Sequence, residues 1–172
     1  EYIWKERKVD VSNFSVTVDI PQDSINMNLR EGAKKAAQAY HADMHFLNLR
    51  DYEAQQMDMQ TLVQRELDIG CEGILLQCGS SRVTEEILEQ IPVGVPVVLW
   101  DTEAESPRVK SSVSFDREAV ARLLVEKVSE ARDKGQSVTL VSHKDSSDQV
   151  QRMHDLLEEL FPQAGIMVRR VE

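Results

Sequence analysis

The apolar positions of this chain change period repeatedly, and the changes mark its elements. Asn13-Phe-Ser-Val-Thr-Val-Asp-Ile20 alternates and is β-branched, which predicts a first strand. From Ile25 to Asp43 the spacing becomes helical, with Leu29, Ala33, Ala36, Ala37 and Tyr40 on one stripe. Gly32 and the alanines would let that helix lie close to a sheet. Asp43 to Leu49, with Met44 and Phe46, is too short for a globular helix and reads as a strand. Glu53 to Ile69 returns to helical period, with Met59, Leu62, Val63 and Leu67 on one face and Gly70 as the stop. Gly73 to Cys78 is a nearly continuous apolar run. Val83 to Ile91 predicts a shorter helix stopped by Pro92, and Pro96 to Asp101 another strand.

Thr102 to Lys110 is a polar connection containing Pro107, followed by a short strand over Val109 to Asp116. A helix over Arg117 to Lys134 is expected to bury Val120, Leu124, Val128 and Ala131, and Gly135 ends it. Ser137 to His143 predicts a strand. Gln149 to Phe161 predicts a helix with Val150, Met153, Leu157 and Leu160 inward, and Ile166 to Val171 a final strand. About seven strands thus alternate with about five helices, and neither a Gly/Ser linker nor an internal repeat interrupts them. Strands apolar on both faces and separated by helices belong in a parallel sheet covered on both sides. The fold class is α/β, a doubly wound parallel sheet. Ligands of such sheets gather at the carboxyl ends of the strands. That rule points to Leu49-Arg50, Cys78-Gly79-Ser80 and Asp101-Thr102.

The same residues carry a resemblance. Gly70-Cys-Glu-Gly-Ile-Leu-Leu76, followed by Val95-Pro-Val-Val-Leu-Trp-Asp101, resembles the type I periplasmic binding proteins. That family includes the sugar-type solute-binding proteins of ABC transporters and the LacI-like ligand domains. Ile25 to Asp43, with Gly32-Ala33 and Ala36-Ala37, resembles its opening helix. Val109 to Asp116 resembles the element that crosses from the first lobe into the second, with Arg117 where an Asn usually follows. The resemblance runs from about Ser15 to Val171. It implies a first lobe over residues 1–108, lacking its return segment, and the start of an incomplete second lobe over 109–172. On that reading the chain is the N-terminal part of a two-lobe protein. An unfinished parallel sheet exposes an edge that pairs with another copy, so a homodimer is expected.

The resemblance also implies a site. Gln22, Asp23 and Asn26 match the first loop, and Cys78, Gly79 and Ser80 the end of the third strand. Asp101 matches the acid that grips sugar hydroxyls, Asp116 the hinge acid, and Arg152 the start of an Arg-bearing helix. Asp155 and Leu156 replace the Gly and aromatic that follow it in the family, and Gln22 to Met27 contains no aromatic to stack on a pyranose ring. The implied function is non-catalytic binding of a small polar ligand, sugars first, by lobe closure. The chain would be the solute-binding component of an ABC uptake system or a sensor, outside the cytoplasm, with an ABC permease or membrane sensor as partner.

Composition narrows the rest. At 172 residues, 41% apolar and 29% charged, the chain can bury a proper core. No run approaches the roughly 18–20 apolar residues of a membrane span. Residues 1–105 hold 9 basic and 19 acidic side chains, whereas 106–172 hold 11 of each, so the net charge of −10 sits in the first part. Such a field repels phosphate backbones and argues against nucleic acid as a partner. Cys71 and Cys78 bracket one strand roughly 20 Å apart, far beyond the about 7 Å of a disulfide, and are expected in the core. No Gly-x-Ser-x-Gly elbow is present, and Gly79-Ser-Ser81 lacks the glycines and Lys of a phosphate loop. His41 and His45 straddle a helix–strand junction, and His143 and His154 stand apart, so no metal or other cofactor is expected. Alternation predicts that Trp100 packs under a helix. Two rival readings are a flavodoxin-like or receiver-like domain, for which Asp19 alone falls short of the acid cluster required, and a ligand-free interaction domain.

Overall fold

Every strand pairing is parallel. The computed structural model describes residues 11–19, 24–133, 135–143 and 146–171. Its order is β1 (Asn13–Val18), α1 (Ser24–Tyr40), β2 (Asp43–Asn48), a 3-10 turn (Leu49–Gln55), α2 (Met59–Asp68), β3 (Gly73–Leu76), α3 (Ser81–Gln90) and β4 (Val97–Trp100). Then come β5 (Val109–Val113), α4 (Arg117–Ala131), β6 (Val138–Val141), α5 (Asp148–Gln163) and β7 (Val168–Val171). Five strands form one sheet in the order β2-β1-β3-β4-β5, and β6 pairs with β7 in a second. Because β5 hydrogen-bonds to β4, the first sheet runs through Val113, past residue 108.

The two faces of the first sheet are covered unequally. Ile74, Leu76, Val97 and Leu99 point towards Met59 and Val63 of α2 and Ile87 and Leu88 of α3, and this is the larger core. On the opposite face Val16 and Val18 meet Leu29 and Ala33 of α1, with Leu75 and Trp100 beside them. Trp100 lies on this face too, half-buried beside Val16 and Val18. The alternating β1 is buried on both faces: Ser15 and Thr17 bond to each other at 2.8 Å, which satisfies the polar side. Gly73 has a packing reason. A Cβ there would lie 2.9 Å from the Phe14 ring. Among the described residues α1 alone lies on this face, and an apolar groove of about 480 Å3 stays open beside it, lined by Phe14, Leu29, Ala33, Met44, Leu75 and Val98. The second core joins Ala121 and Val125 of α4 to Leu157, Leu160 and Phe161 of α5, around Leu140 and Ile166.

Several expected boundaries move, each for a local reason. The helix expected over Glu53 to Ile69 is divided: Gln56 takes left-handed backbone (φ 52) and Asp58 caps a new helix by accepting from the Thr61 N–H at 2.7 Å. Gly70, at φ 87, ends that helix as expected. The strand expected to Asp116 stops at Val113, because Asp116 is the N-cap of α4 and accepts from the Ala119 N–H at 3.0 Å. The α4 stripe is rotated: Ala121 and Val125 are buried, while Val120 and Leu124 are 39% and 43% exposed. Tyr40, placed in the α1 stripe, is 83% exposed at the helix end. Val150 is also outward, although Leu157 and Leu160 face the core as expected.

Candidate functional site

Parallel strands bring their carboxyl ends to one edge, and a set of polar long-range contacts lies there. After β1, the Asp19 N–H donates to Gln77 Oε1 at 2.8 Å, and Arg50 Nε lies 2.7 Å from the Asp19 carboxylate. After β3 and β4, the buried Thr102 hydroxyl accepts from the Cys78 N–H at 3.1 Å and donates to the Cys78 carbonyl at 3.0 Å. This stitch fixes the two strand ends relative to each other. Cys78 itself is turned into the core, where burial pushes its thiol up. Cys71 is likewise buried, and both cysteines are free.

Asp101 follows β4 in the left-handed region at φ 46, a conformation that Asp tolerates better than most residues. Its N–H donates to the Val113 carbonyl at 2.8 Å, which ties it to β5. Its carboxylate is paired with Arg117, the first residue of α4, whose side chain is only 12% exposed. Burial raises the Asp101 carboxyl above the usual range, and Arg117 opposes that rise. The second Arg117 nitrogen lies 3.6 Å from Glu103, and the other Glu103 oxygen is paired with Arg152 of α5. Glu103, Phe115, Asp116, Arg117, Arg152 and Glu159 line a cavity of about 510 Å3 between the two sheets' units. Alongside it, the Asp148 N–H donates to the Gly79 carbonyl at 2.9 Å, and Asp148 Oδ2 accepts from the Ser81 N–H at 2.6 Å.

Of the residues expected in the site, Asp116 and Arg152 share this cavity, with Asp101 joined to them through Arg117. Gly79 and Ser80 do not line it; they lie at the start of α3, where Gly79 meets the N-terminal end of α5. Asn26 lies in the first turn of α1, and Gln22 and Asp23 fall outside the described residues. Glu103 and Asp148 were not singled out from sequence, whereas the strand-end rule had pointed to Arg50, which here pairs with Asp19. Asp19 had been weighed only as a receiver-type acid, and Arg117 only as a departure from the family's usual Asn. The arrangement presents carboxylates and guanidinium groups in one cleft, a donor and acceptor set of the kind that hydroxyl-rich molecules engage. Among the described residues no group of three or more His, Cys, Asp or Glu side chains is placed to hold a metal ion. A larger groove of about 760 Å3 between α1 and β2, where Arg30 lies over Phe46, opens at the amino ends of the strands, away from this edge.

Two parallel sheets, with a polar cleft between the end of the first and helix α5 of the second unit, define a two-unit α/β architecture. The chain belongs to the periplasmic binding protein domain family, whose profile matches residues 14–168. That match covers the sequence from β1 to β7 and disfavours the flavodoxin-like or receiver-like reading. Among curated protein sequences, none matches this one. Solved structures share the fold at low identity. An ABC sugar transporter (periplasmic sugar binding protein) from Legionella pneumophila has a TM-score of 0.76 and 16% identity, over 94% of this chain and 60% of that one. A periplasmic ribose ABC transporter from Conexibacter woesei has a TM-score of 0.68 and 18% identity, over 93% and 53%. A 5-methylthioribose transporter solute binding protein from Thermotoga lettingae, in complex with 5-methylthioribose, has a TM-score of 0.69 and 17% identity, over 92% and 50%. This chain therefore spans about half to three-fifths of the length of such proteins.

Proposed function

We propose that the chain binds a small polar, sugar-like molecule without chemical conversion, between the unit built on β1 to β5 and the unit built on β6 and β7. The observation that carries this reading is the meeting of Arg152, from α5, with Glu103, Arg117 and Asp101 at the end of β4. The hinge runs through Ser114 to Asp116, between the last strand of the first sheet and α4. Asp101, Asp116, Ser80 and the Gly79 backbone contribute acceptors and donors from the first unit and the hinge, and Arg152 donates from the second. Gln22, Asp23 and Asn26 complete the first loop on the strength of the family pattern. The family and the solved relatives that carry sugars support an extracytoplasmic role as the recognition part of an uptake or sensing system. An ABC permease or a membrane sensor is the corresponding partner.

A thermal-unfolding screen against pentoses, hexoses and 5-methylthioribose tests the reading. A ligand that binds only the folded state raises Tm with the logarithm of its concentration. Arg152→Ala and Asp101→Asn are each expected to abolish the shift while the unliganded protein stays folded. If no sugar in the panel shifts Tm at millimolar concentration, this reading fails for the chain.

A further inference from the structure

Helix α3 starts without a cap of its own. Ser80 holds the N-cap position in extended conformation (φ −125, ψ 128), yet its hydroxyl makes no capping hydrogen bond. The Ser81 N–H is one of the first-turn donors that no helical carbonyl can reach. Its acceptor comes from the other unit: Asp148 Oδ2, at 2.6 Å. The backbone N–H of the same Asp148 donates to the Gly79 carbonyl at 2.9 Å. Asp148 is not occupied with capping α5, because Ser147 does that by accepting from the Val150 N–H. Two helix N-termini thus face each other, and one carboxylate serves the end that lacks a side-chain acceptor, where negative charge is also favoured by the peptide dipoles. The two bonds bracket Ser80. One turn along α5, Arg152 reaches Glu103 on the same side.

We propose that Asp148 is the positioning residue for closure: it caps α3 across the cleft, so that bonds within the chain hold the two units together. The proposal rests on the binding reading above for its purpose, but not for its test. Opening the cleft takes the acceptor from the Ser81 amide, so that amide reports closure directly. Ile74 and Val97 donate to Pro96 at 3.0 Å and to Arg108 at 3.2 Å within the first unit, and their amides report that unit's integrity.

The test is amide hydrogen exchange by NMR on the full 172-residue chain, comparing Asp148→Ala and Asp148→Asn with the unchanged protein. Ser81 is expected to exchange slowly in the unchanged protein. It is expected to speed up about fivefold or more in Asp148→Ala, the scale of losing one cap bond, with Ile74 and Val97 unmoved. Asn, whose side-chain oxygen can also accept from Ser81, is expected to restore most of the protection. An unprotected Ser81 in the unchanged protein, or equal protection in Asp148→Ala, would overturn the proposal. A second measurement covers the case in which Asp148→Ala unfolds. A Cβ at Gly79 would lie 3.6 Å from the Ser147 Cβ, within disulfide range. Gly79→Cys with Ser147→Cys is expected to form that disulfide when treated with oxidised glutathione, and absence of the bond in the folded double variant would also overturn the proposal. Neither experiment uses a ligand, so an empty sugar screen and an open cleft are separate failures.

Discussion

Asp58 and Asp101 sit on opposite sides of the usual carboxylate range, and stability should answer to each with opposite sign. Hydrogen bonds from Thr61 hold Asp58 below its ordinary pKa, so the native state binds fewer protons there than the unfolded chain. Its contribution is full above the ordinary carboxylate pKa and is lost as pH falls through the lowered value. Asp58→Ala is expected to cost about 1 kcal/mol at neutral pH, with the difference shrinking in acid, as read from urea midpoints. For Asp101 burial wins, the native state holds its proton longer, and its contribution falls as pH rises through the region above the ordinary value. Removing the opposing cation exaggerates this. Arg117→Gln is expected to cost about 1–3 kcal/mol at neutral pH by leaving a largely buried carboxylate unpaired, and to cost less once acid protonates Asp101. At this scale Asp101, Asp116 and Arg152 were named in advance as candidate contacts through their match to short motifs of the family. Asp148 and Glu103 were not, because their partners Ser81 and Arg152 are remote in sequence and only the fold brings them together.

Helix α4 shows where periodicity is and is not enough. Its length and ends follow from Asp116 and the polar stretch after Ala131, but its apolar residues occupy two faces. Val120, Leu123 and Leu124 make one face; Ala121, Val125 and Val128 make the other, and the second is the one packed against α5 and Leu140. A stripe drawn through 120, 124 and 128 mixes the two, and nothing local in the sequence chooses between them. Val125→Ala is therefore expected to cost about 1.5–2 kcal/mol, whereas Val120→Ser and Leu124→Ser stay within about 0.5 kcal/mol. Chemical denaturation of the three variants separates the faces. The strands were more legible than the helix faces. Runs such as Gly73 to Leu76 and Val97 to Trp100 are too short and too apolar for anything but buried parallel strands between helices. The division of the helix expected from Glu53 was signalled only by Asp58, a good cap residue followed at once by the apolar Met59.

The whole molecule is uneven. Among the described residues one sheet has five strands with helices on both faces, while the other has two, and a two-stranded sheet is marginal without helices packed on it. The β6–β7 unit relies on α4 and α5 for its core. It is expected to open first, so the Leu140 amide exchanges faster than that of Ile74, and calorimetric unfolding departs from a single two-state transition. The apolar groove beside α1 has a practical consequence of another kind. Reporter dyes that brighten in oily surroundings are meant to stay dark until a protein melts, but Leu29, Met44, Leu75 and Val98 offer them a berth in the folded chain. Trp100 packs in the same cluster, close enough to report an occupant through its own emission. A dye-based melt of this protein will start from a bright baseline, and a sugar that binds well could pass unseen unless the curve is followed by circular dichroism instead.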